Sequence, residues 1–320
     1  MKLIIQIPCY NEEATLPQTL SALPKSIPGF DRVEVLVVDD GSEDETVAVA
    51  REHGVDHIIC LKRHKGLAKA FMDGIEACLS FGADVIINTD ADNQYNAEDI
   101  PSLLEPILEG EADFVIGTRP IQSVEHFSWI KKVLQVLGSR IVRVVSQTSV
   151  MDAPSGFRAI TREAAMRLNI FSSYSYTLET LIQAGHIGIA TVSVPVEVNG
   201  EQRSSRLVKS VFSYVLNSAI TIVRTYAIYK PFPFFMGIAI LLFLPGFALG
   251  LRFLYYFFTG DGDGHVQSVV LSVFLMGSGF NLAIMAVMTD LIAVNRQLLE
   301  KLGYRQQLVE TKLGNTGTSE

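Results

Sequence analysis

The sequence predicts an α/β domain with a mostly parallel sheet, followed by an interfacial helix and two C-terminal transmembrane helices. From residue 3 to about 117, short apolar runs alternate with stretches whose apolar residues recur at helical spacing. Further on, residues 232–251 and 266–289 contain no charged side chain. Each of these runs is long enough to cross a bilayer as a helix, although a buried helical hairpin is the alternative.

The strands of the sheet are predicted from runs of β-branched and other apolar residues. Leu16, Leu20 and Leu23 share one face of the helix expected after the first strand, and Ser42 with Glu45 forms a capping box for the next helix. Residues 68–79 repeat small and apolar residues at helical spacing. The five predicted strands cover residues 3–7, 33–38, 57–61, 85–89 and 114–117.

The fourth predicted strand ends in a cluster of oxygen ligands. Asp90 and Asp92 are two residues apart, so in a chain that is still extended both side chains point to one side, and Gln94 continues that row. Two carboxylates and an amide suit Mg²⁺ or Mn²⁺, which take further ligands from substrate phosphates. The alternative is an acidic turn that merely caps a helix from about Ala97.

Polar residues also follow the other strands of the predicted sheet. In open α/β sheets, ligands bind beyond the carboxyl ends of the strands, so these clusters are expected to form one site. No Gly-x-Gly-x-x-Gly or Walker sequence follows the first strand, which disfavours a dinucleotide fold and a phosphate-loop ATPase. In residues 65–69, backbone N–H groups are candidates to face a phosphate, although a solvated helix cap is the commoner reading. The polar clusters are residues 8–13, 39–42, 90–92 and 118–119.

After Arg119 the alternation of predicted strands and helices becomes less regular. A helical stretch covers about 126–146, and residues 151–159 form a shaped loop that leads into a short strand. A helix around 177–184 and a β-type run over 189–198 follow. A basic segment from 200 to 209 then precedes an apolar-rich helix to about residue 229, which suits a membrane interface or, alternatively, a globular surface.

Charge and cysteine content narrow the class of protein. The formal net charge is -8 and no basic face stands out, so nucleic acid is not an expected partner. The three cysteines are widely spaced, which predicts neither a zinc site nor a disulfide framework. Met1 leads directly into a strand without a basic leader, so no signal peptide is expected.

Membrane topology is predicted from the basic residues. The connection at 259–265 has no Lys or Arg, whereas both outer flanks of the two spans are basic, although Arg252 is an exception. The chain is therefore expected to be an integral protein of the inner or plasma membrane, with its globular domain and both termini in the cytoplasm.

These motifs resemble those of family-2 glycosyltransferases of the GT-A fold. The likeness is greatest to the membrane-anchored polyprenyl-phosphate sugar synthases, a group that includes the dolichyl-phosphate mannose synthases, and it covers roughly residues 3–210. One departure is that residues 203–209 lack the Gly and Ser-Lys found in many relatives. The motifs that carry the resemblance are residues 7–13, 38–42, 90–94, 117–119 and 155–158.

The resemblance implies a role for each group of residues. The donor nucleotide is expected to contact Pro8, Tyr10, Asn11, Glu12, Asp39, Asp40, Lys65, Asp90 and Ala91. The metal, Mg²⁺ or Mn²⁺, is expected on Asp90, Asp92 and Gln94. The acceptor phosphate is expected to meet Arg119, Arg203, Arg206 and Lys209. The catalytic residues implied are Asp92, Asp152 and Arg119.

The expected activity is transfer of one sugar from a UDP- or GDP-sugar to polyprenyl phosphate, with inversion at the anomeric carbon. The lipid phosphate is already anionic and needs no strong base. Asp152 is a candidate base or acceptor-orienting group, or else a structural partner of Arg158, and Glu179 is interpreted as structural. The rivals are a transferase that extends a lipid-linked glycan or exopolysaccharide, and a non-catalytic nucleotide-sugar-binding scaffold.

Membrane lipids complete the expected partners, and assembly with a second copy of the chain is left open. The predicted organisation is a GT-A domain at 1–203, a juxtamembrane helix at 204–230, a two-span hairpin at 231–292 and a cytoplasmic tail at 293–320.

Overall fold

The computed structural model describes residues 1–120, 129–170, 176–199, 211–260 and 265–316, and the side chains of 129–137, 211–214 and 310–316 fall outside the description. The chain divides into two compact units, Met1–Val223 and Arg224–Glu320. The strands are β1 Lys2–Cys9, β2 Arg32–Asp39, β3 His57–Cys60, β4 Val85–Asn88, β5 Phe114–Thr118, β6 Arg158–Thr161 and β7 Thr191–Pro195. The helices of the first unit are α1 Leu16–Ala22, α2 Thr46–Glu52, α3 Leu67–Ser80, α4 Ile100–Leu108, α5 Trp129–Ser146, α6 Arg162–Arg167 and α7 Tyr176–Ile187. They are followed by α8 Val211–Tyr229, α9 Pro231–Thr259 and α10 Val266–Thr316.

The described strands form one mixed sheet in the order β3-β2-β1-β4-β6-β5-β7. All five predicted strands are confirmed, and the expected run at 189–198 contains β7. Every pairing is parallel except those of β6, which lies antiparallel between β4 and β5. The strand order reverses at β1, with β2 on one side and β4 on the other. Such a switch point opens a crevice beyond the carboxyl ends of the strands.

Two apolar layers cover the faces of this sheet. On one face, Ile4 and Ile86 pack with Phe71 of α3 and Leu181 of α7. On the other face, alternate residues such as Ile5 belong to the layer formed with α1 and α4. Because successive strand residues point to opposite faces, and both faces are covered, the central strands are mostly apolar.

The start of α2 differs from the sequence prediction. The helix begins at Thr46, with Glu45 at the N-cap position and no side-chain cap hydrogen bond from Glu45. Asp44 Oδ1 accepts a hydrogen bond of 3.0 Å from the Thr46 N–H instead. Ser42 is engaged elsewhere, since its hydroxyl accepts from the Asn11 N–H at 2.9 Å. The predicted capping box is therefore wrong, because Ser42 is recruited by a neighbouring strand end.

The second unit consists mainly of α9 and α10, which are long and apolar enough to be membrane spans. Many of their large apolar side chains are exposed, including Leu241 and Phe274. Small residues let the two helices approach closely, and the Ser272 hydroxyl donates to the carbonyl of Gly246 at 2.6 Å. Close packing through small residues and interhelical hydrogen bonds is how helices associate in lipid.

A pair of glycines on α10 tests the packing of this hairpin. A Cβ added at Gly279 would lie 2.9 Å from the carbonyl oxygen of Ala239 and 3.0 Å from Cβ of Phe243, whereas at Gly277 nothing lies within 4 Å. We expect Gly279→Leu to destabilise the hairpin by about 1–3 kcal/mol through overpacking. Gly277→Leu is the matched control and should leave thermal unfolding in detergent nearly unchanged. Equal melting temperatures for the two variants would contradict this packing.

Candidate active site

The polar clusters that follow β1, β2 and β4 lie side by side at one edge of the sheet. These three strands are adjacent and parallel, so their carboxyl ends meet at the same edge. β5 runs in the same direction but is separated from β4 by the antiparallel β6. The loop that precedes β6 therefore enters the site at this edge, between the ends of β4 and β5. The sequence predicted the clustering but not this insertion.

The first two strand ends are tied together by hydrogen bonds. Asp39 is buried and its carboxylate accepts from the Ser42 N–H at 3.1 Å. Asn11 adopts a positive φ of 55°, and its side-chain oxygen accepts from the Glu43 N–H at 2.8 Å. Glu12 is buried as well, and its carboxylate accepts from the Thr15 hydroxyl at 2.8 Å. The donor-binding residues predicted on these two strand ends are thus brought together.

Asp40 is buried and holds the loop between β3 and α3. Its carboxylate accepts from the N–H groups of Lys65 and Gly66, both at 2.8 Å. It also lies 2.9 Å from Nδ1 of His64, whose ring stacks on Tyr10 with the centroids 3.9 Å apart. Of the N–H groups in residues 65–69 that were candidates to face a phosphate, those of Lys65 and Gly66 are therefore occupied by Asp40 instead. The sequence did not indicate a role for His64, because its two neighbours, Tyr10 and Asp40, follow other strands and are distant in sequence.

The Asp-rich segment after β4 forms a turn rather than an extended chain. The strand ends at Asn88, Asn93 has a positive φ of 54°, and Oδ1 of Asp92 accepts from the Gln94 N–H at 3.1 Å. The predicted row of side chains on an extended strand is therefore wrong, and turn chemistry positions them instead. The following 3-10 helix is capped by Asn96, whose side chain accepts from the Glu98 N–H at 3.1 Å.

Asp90 is the most perturbed carboxylate of this turn. Burial, and after it the charge of Asp92, raise the pKa of Asp90 to about 7, against the opposing influence of Arg119 and Arg158. Its two carboxylate oxygens lie 2.8 and 3.0 Å from the point where a Cβ on Gly156 would stand. An alanine at this position would collide with Asp90.

The donor set of the turn fits a hard divalent cation. Within the described residues no group of three or more His, Cys, Asp or Glu side chains could hold a metal, and the ligands predicted here, Asp90, Asp92 and Gln94, include only two carboxylates. The charge of Asp92 disfavours ionisation of Asp90, and a divalent cation would relieve that repulsion. Carboxylate and amide oxygens are its preferred ligands, with substrate phosphates and water completing the shell.

Arg119 and Asp152 form a two-pronged ion pair beside this turn. Nε of Arg119 donates to Oδ2 of Asp152 at 2.7 Å, and Nη2 donates to Oδ1 at 3.1 Å. Burial alone lowers the pKa of Arg119, but Tyr95, Asp152 and Asp90 outweigh it and raise the pKa above its ordinary value. Asp152 is wholly buried, and both of its carboxylate oxygens accept hydrogen bonds from the guanidinium. This pairing supports an orienting role for Asp152 over a role as base.

Arg158 is wholly buried and shapes the loop before β6. It donates to the carbonyl oxygens of Ser155, Ala153 and Thr177 and, at 2.6 Å, to the Thr180 hydroxyl. Its guanidinium lies 5.4 Å from the ring centroid of Phe114 and 5.5 Å from that of Tyr176. Burial lowers the pKa of Arg158, but the neighbouring rings and carboxylates oppose that effect. The sequence placed Arg158 in a motif without indicating that its side chain is internal.

Not every predicted residue can be placed. Arg203, Arg206 and Lys209, the predicted acceptor-phosphate residues, lie outside the described residues. Pro8 and Ala91 are buried in their strand end and turn, and Glu179 is buried in α7, consistent with the structural role expected for it. Lys65 is exposed, with Nζ 3.9 Å from the Asp73 carboxylate.

Comparison with known proteins identifies the family. A model described as Glycosyl transferase family 2 matches residues 4–168. The chain belongs to this family of glycosyltransferases. Among its relatives is an undecaprenyl-phosphate mannosyltransferase of Micrococcus luteus, 31% identical over 206 residues that cover 61% of this chain and 83% of the relative. Another is a polyprenol monophosphomannose synthase of Mycolicibacterium smegmatis, 29% identical over 204 residues, covering 60% of this chain and 76% of that protein.

A solved structure confirms the fold. Glucosyl-3-phosphoglycerate synthase of Mycobacterium tuberculosis, solved with Mn²⁺, uridine diphosphate and phosphoglyceric acid, superposes with a TM-score of 0.57. The identity is 18%, over 70% of this chain and 78% of that chain, so the likeness concerns the fold alone. The predicted GT-A architecture is confirmed.

Two glycines of positive φ test how the loop after β3 is held. Gly41 has a φ of +74°, and an added Cβ would lie 2.8 Å from the backbone of Arg63 and His64, whereas Gly54, at +69°, has nothing within 4 Å. Both alanine variants carry the strain of a left-handed backbone. We expect Gly41→Ala to lose about 1–3 kcal/mol more than Gly54→Ala in chemical unfolding, because only Gly41 also meets backbone. A smaller loss at Gly41 than at Gly54 would refute the close approach.

Proposed function

We propose that this protein transfers a single sugar from a nucleotide-diphosphate sugar to polyprenyl phosphate at a membrane. The observation that carries the proposal is the Asp90–Asp92 turn at the switch point of a glycosyltransferase sheet, in a chain that continues into two candidate spans. Two relatives, an undecaprenyl-phosphate mannosyltransferase and a polyprenol monophosphomannose synthase, support a lipid phosphate as acceptor.

The donor nucleoside is assigned to the ends of β1 and β2. Pro8, Tyr10, Glu12 and Asp39 lie there, next to the stack of Tyr10 on His64. Asp40 is proposed to act on the donor site indirectly, by holding the loop between β3 and α3. Its carboxylate is occupied by Lys65, Gly66 and His64 of that loop. A UDP- or GDP-sugar is the donor class that this cleft is proposed to accept.

The donor diphosphate is assigned to the turn after β4. Asp90, Asp92 and Gln94 would hold Mg²⁺ or Mn²⁺ against it. Such a cation neutralises the charge that develops on the leaving diphosphate. Two hydrogen bonds restrain the turn: Asp92 accepts from the Gln94 N–H, and the carbonyl of Ala91 accepts from the Thr19 hydroxyl at 2.9 Å. A turn restrained in this way before the substrate arrives lowers the cost of ordering it on binding.

The acceptor needs positioning more than proton removal. A phosphomonoester with a second pKa of about 6 is already a dianion at neutral pH and can attack the sugar directly. Arg119 stands at the end of β5, oriented by Asp152, and offers positive charge for that phosphate. Attack from the face opposite the leaving group inverts the anomeric carbon. Arg203, Arg206 and Lys209 are proposed to complete the phosphate site.

The membrane arrangement is part of the proposal. α9 and α10 cross the bilayer, the short connection at 259–265 faces the outside, and the globular domain and both termini are cytoplasmic. The support is the absence of Lys and Arg from that connection and the basic residues on the flanks, among them Lys230 and Arg296.

The direct test is turnover by the full chain in membranes. Incubation with polyprenyl phosphate and a panel of labelled nucleotide sugars should yield a lipid that carries one sugar, identified by mass spectrometry. We expect Asp92→Asn to reduce turnover by orders of magnitude, because a neutral amide is a poor ligand for a hard cation. Asp56→Asn is the control, since Asp56 accepts from the Val35 N–H away from the site. Full activity in excess chelator, or a product with several added sugars, would contradict the proposal.

The acceptor assignment has its own prediction. Arg203→Lys keeps the positive charge but loses the forked donors that match phosphate oxygens. We expect a higher KM for polyprenyl phosphate, or a lower kcat, with donor binding little changed. Arg224→Lys is the comparison, because Arg224 is an exposed residue of α8. Wild-type kinetics for both Arg203→Lys and Arg206→Lys would overturn the acceptor assignment and favour the chain-extending alternative.

A further inference from the structure

The stretch of chain that follows β7 runs alongside the Asp-rich turn. Val198 pairs with Tyr95 in an isolated antiparallel bridge, and the Asn96 N–H donates to the carbonyl of Glu197 at 3.4 Å. Further along, the carboxylate of Asp99 accepts from the Glu197 N–H at 2.6 Å. A segment that is distant in sequence therefore lies against the turn that is proposed to hold the metal.

Asn199 donates three hydrogen bonds to this turn. Its backbone N–H donates to the carbonyl of Gln94 at 2.8 Å. Its side-chain nitrogen, which carries two N–H groups, donates to the carbonyl of Asn93 at 3.0 Å and to that of Tyr95 at 3.3 Å. One residue therefore binds the carbonyl groups of three consecutive residues. The sequence motifs gave no indication of this contact.

The turn depends on such partners because it reverses the chain outside regular structure. Residues 93–95 lie between β4 and the 3-10 helix that begins at Ala97, and Asn93 has a positive φ of 54°. Backbone carbonyls in such a segment need partners from elsewhere in the chain, so the donors of Asn199 favour this conformation over others. The backbone of Gln94 is bonded at both of its polar groups, since its N–H donates to Oδ1 of Asp92 at 3.1 Å.

We propose that Asn199 is a positioning residue for the metal site. Its donors hold the turn in the conformation from which Asp92 and Gln94 reach a divalent cation. The inference rests on the metal role of these two residues in the proposed function. Asn199 acts through the backbone of the turn and is not itself a ligand. Groups that support metal ligands from outside the coordination shell raise metal affinity, and their removal weakens binding.

The test is Mn²⁺ binding by the full chain in detergent without donor or acceptor, measured by electron paramagnetic resonance of the free ion. Asn199→Ala removes both side-chain donors and keeps the backbone N–H. We expect its Kd for Mn²⁺ to rise about 10-fold, the lower end of the loss that follows removal of such supporting groups. The Mn²⁺ concentration that half-activates turnover should rise by the same factor. The kcat at saturating Mn²⁺ should stay near the wild-type value, because Asn199 acts on the ligands alone.

Two further variants separate hydrogen bonding from packing and from local stability. Asn199→Leu removes the same donors but keeps a side chain of similar size, and it should lose as much affinity as Asn199→Ala. Asn96→Ala is the matched control, because the Asn96 side chain accepts from the Glu98 N–H at 3.1 Å and caps the 3-10 helix. It should bind Mn²⁺ as the wild type does. The melting temperature in chelator checks that each variant folds.

The outcomes separate the inference from the proposed function. Wild-type Mn²⁺ affinity in Asn199→Ala or Asn199→Leu, alongside loss of binding in Asp92→Asn, would refute the role of Asn199 and leave the metal site intact. An equal loss in Asn96→Ala would also overturn the inference, because loosening of the whole segment would then explain every variant. A wild-type chain that binds no Mn²⁺ would refute both the metal role of the turn and the inference.

Discussion

The arrangement of the site depends on one buried cation, the guanidinium of Arg158. An ion taken out of water is costly unless it is hydrogen-bonded, and Arg158 donates four hydrogen bonds, to three carbonyl oxygens and the Thr180 hydroxyl. Two of those carbonyls, of Ala153 and Ser155, belong to the loop before β6. The loop is therefore folded around Arg158, the first residue of the strand that follows it. Its shape brings Asp152 to Arg119 and Gly156 to Asp90.

The antiparallel strand β6 explains why this loop lies where it does. An all-parallel sheet would place β4 beside β5 and leave no chain segment entering the edge between them. With β6 inserted, the segment before it arrives from the carboxyl side, next to the Asp-rich turn. The two halves of the site are thus built differently. The loops that follow β1 and β2 form hydrogen bonds with each other. The Asp-rich turn after β4 is instead surrounded by the loop before β6, which is distant in sequence.

The Asp-rich turn carries an unfavourable electrostatic arrangement. Asp90 is placed where burial and Asp92 both disfavour its charge, and the pKa near 7 expresses that conflict. A turn that holds a divalent cation, as proposed here, must bring negative charges together before the cation binds, so without the cation it would be less stable than a neutral turn. The polar residues beneath it, Asn88 and Gln6, are wholly buried in central strands that are otherwise apolar. The hydrogen bond between these two side chains offsets part of the cost of burying them.

What the sequence by itself determined is local in origin. The strands β1 to β5 and the two long apolar helices follow from periodicity and run length, and the Asp90–Asp92 segment was recognisable from its residue types. The antiparallel β6, the pairing of Asp152 with Arg119, the recruitment of Ser42 by Asn11 and the contact of Asn88 with Tyr176 were decided only by the tertiary structure. Asn88 and Tyr176 are 88 residues apart, and Arg119 and Asp152 are 33 apart. Local patterns record which face of an element is apolar, but a buried hydrogen bond between distant residues exists only after the sheet has brought them together.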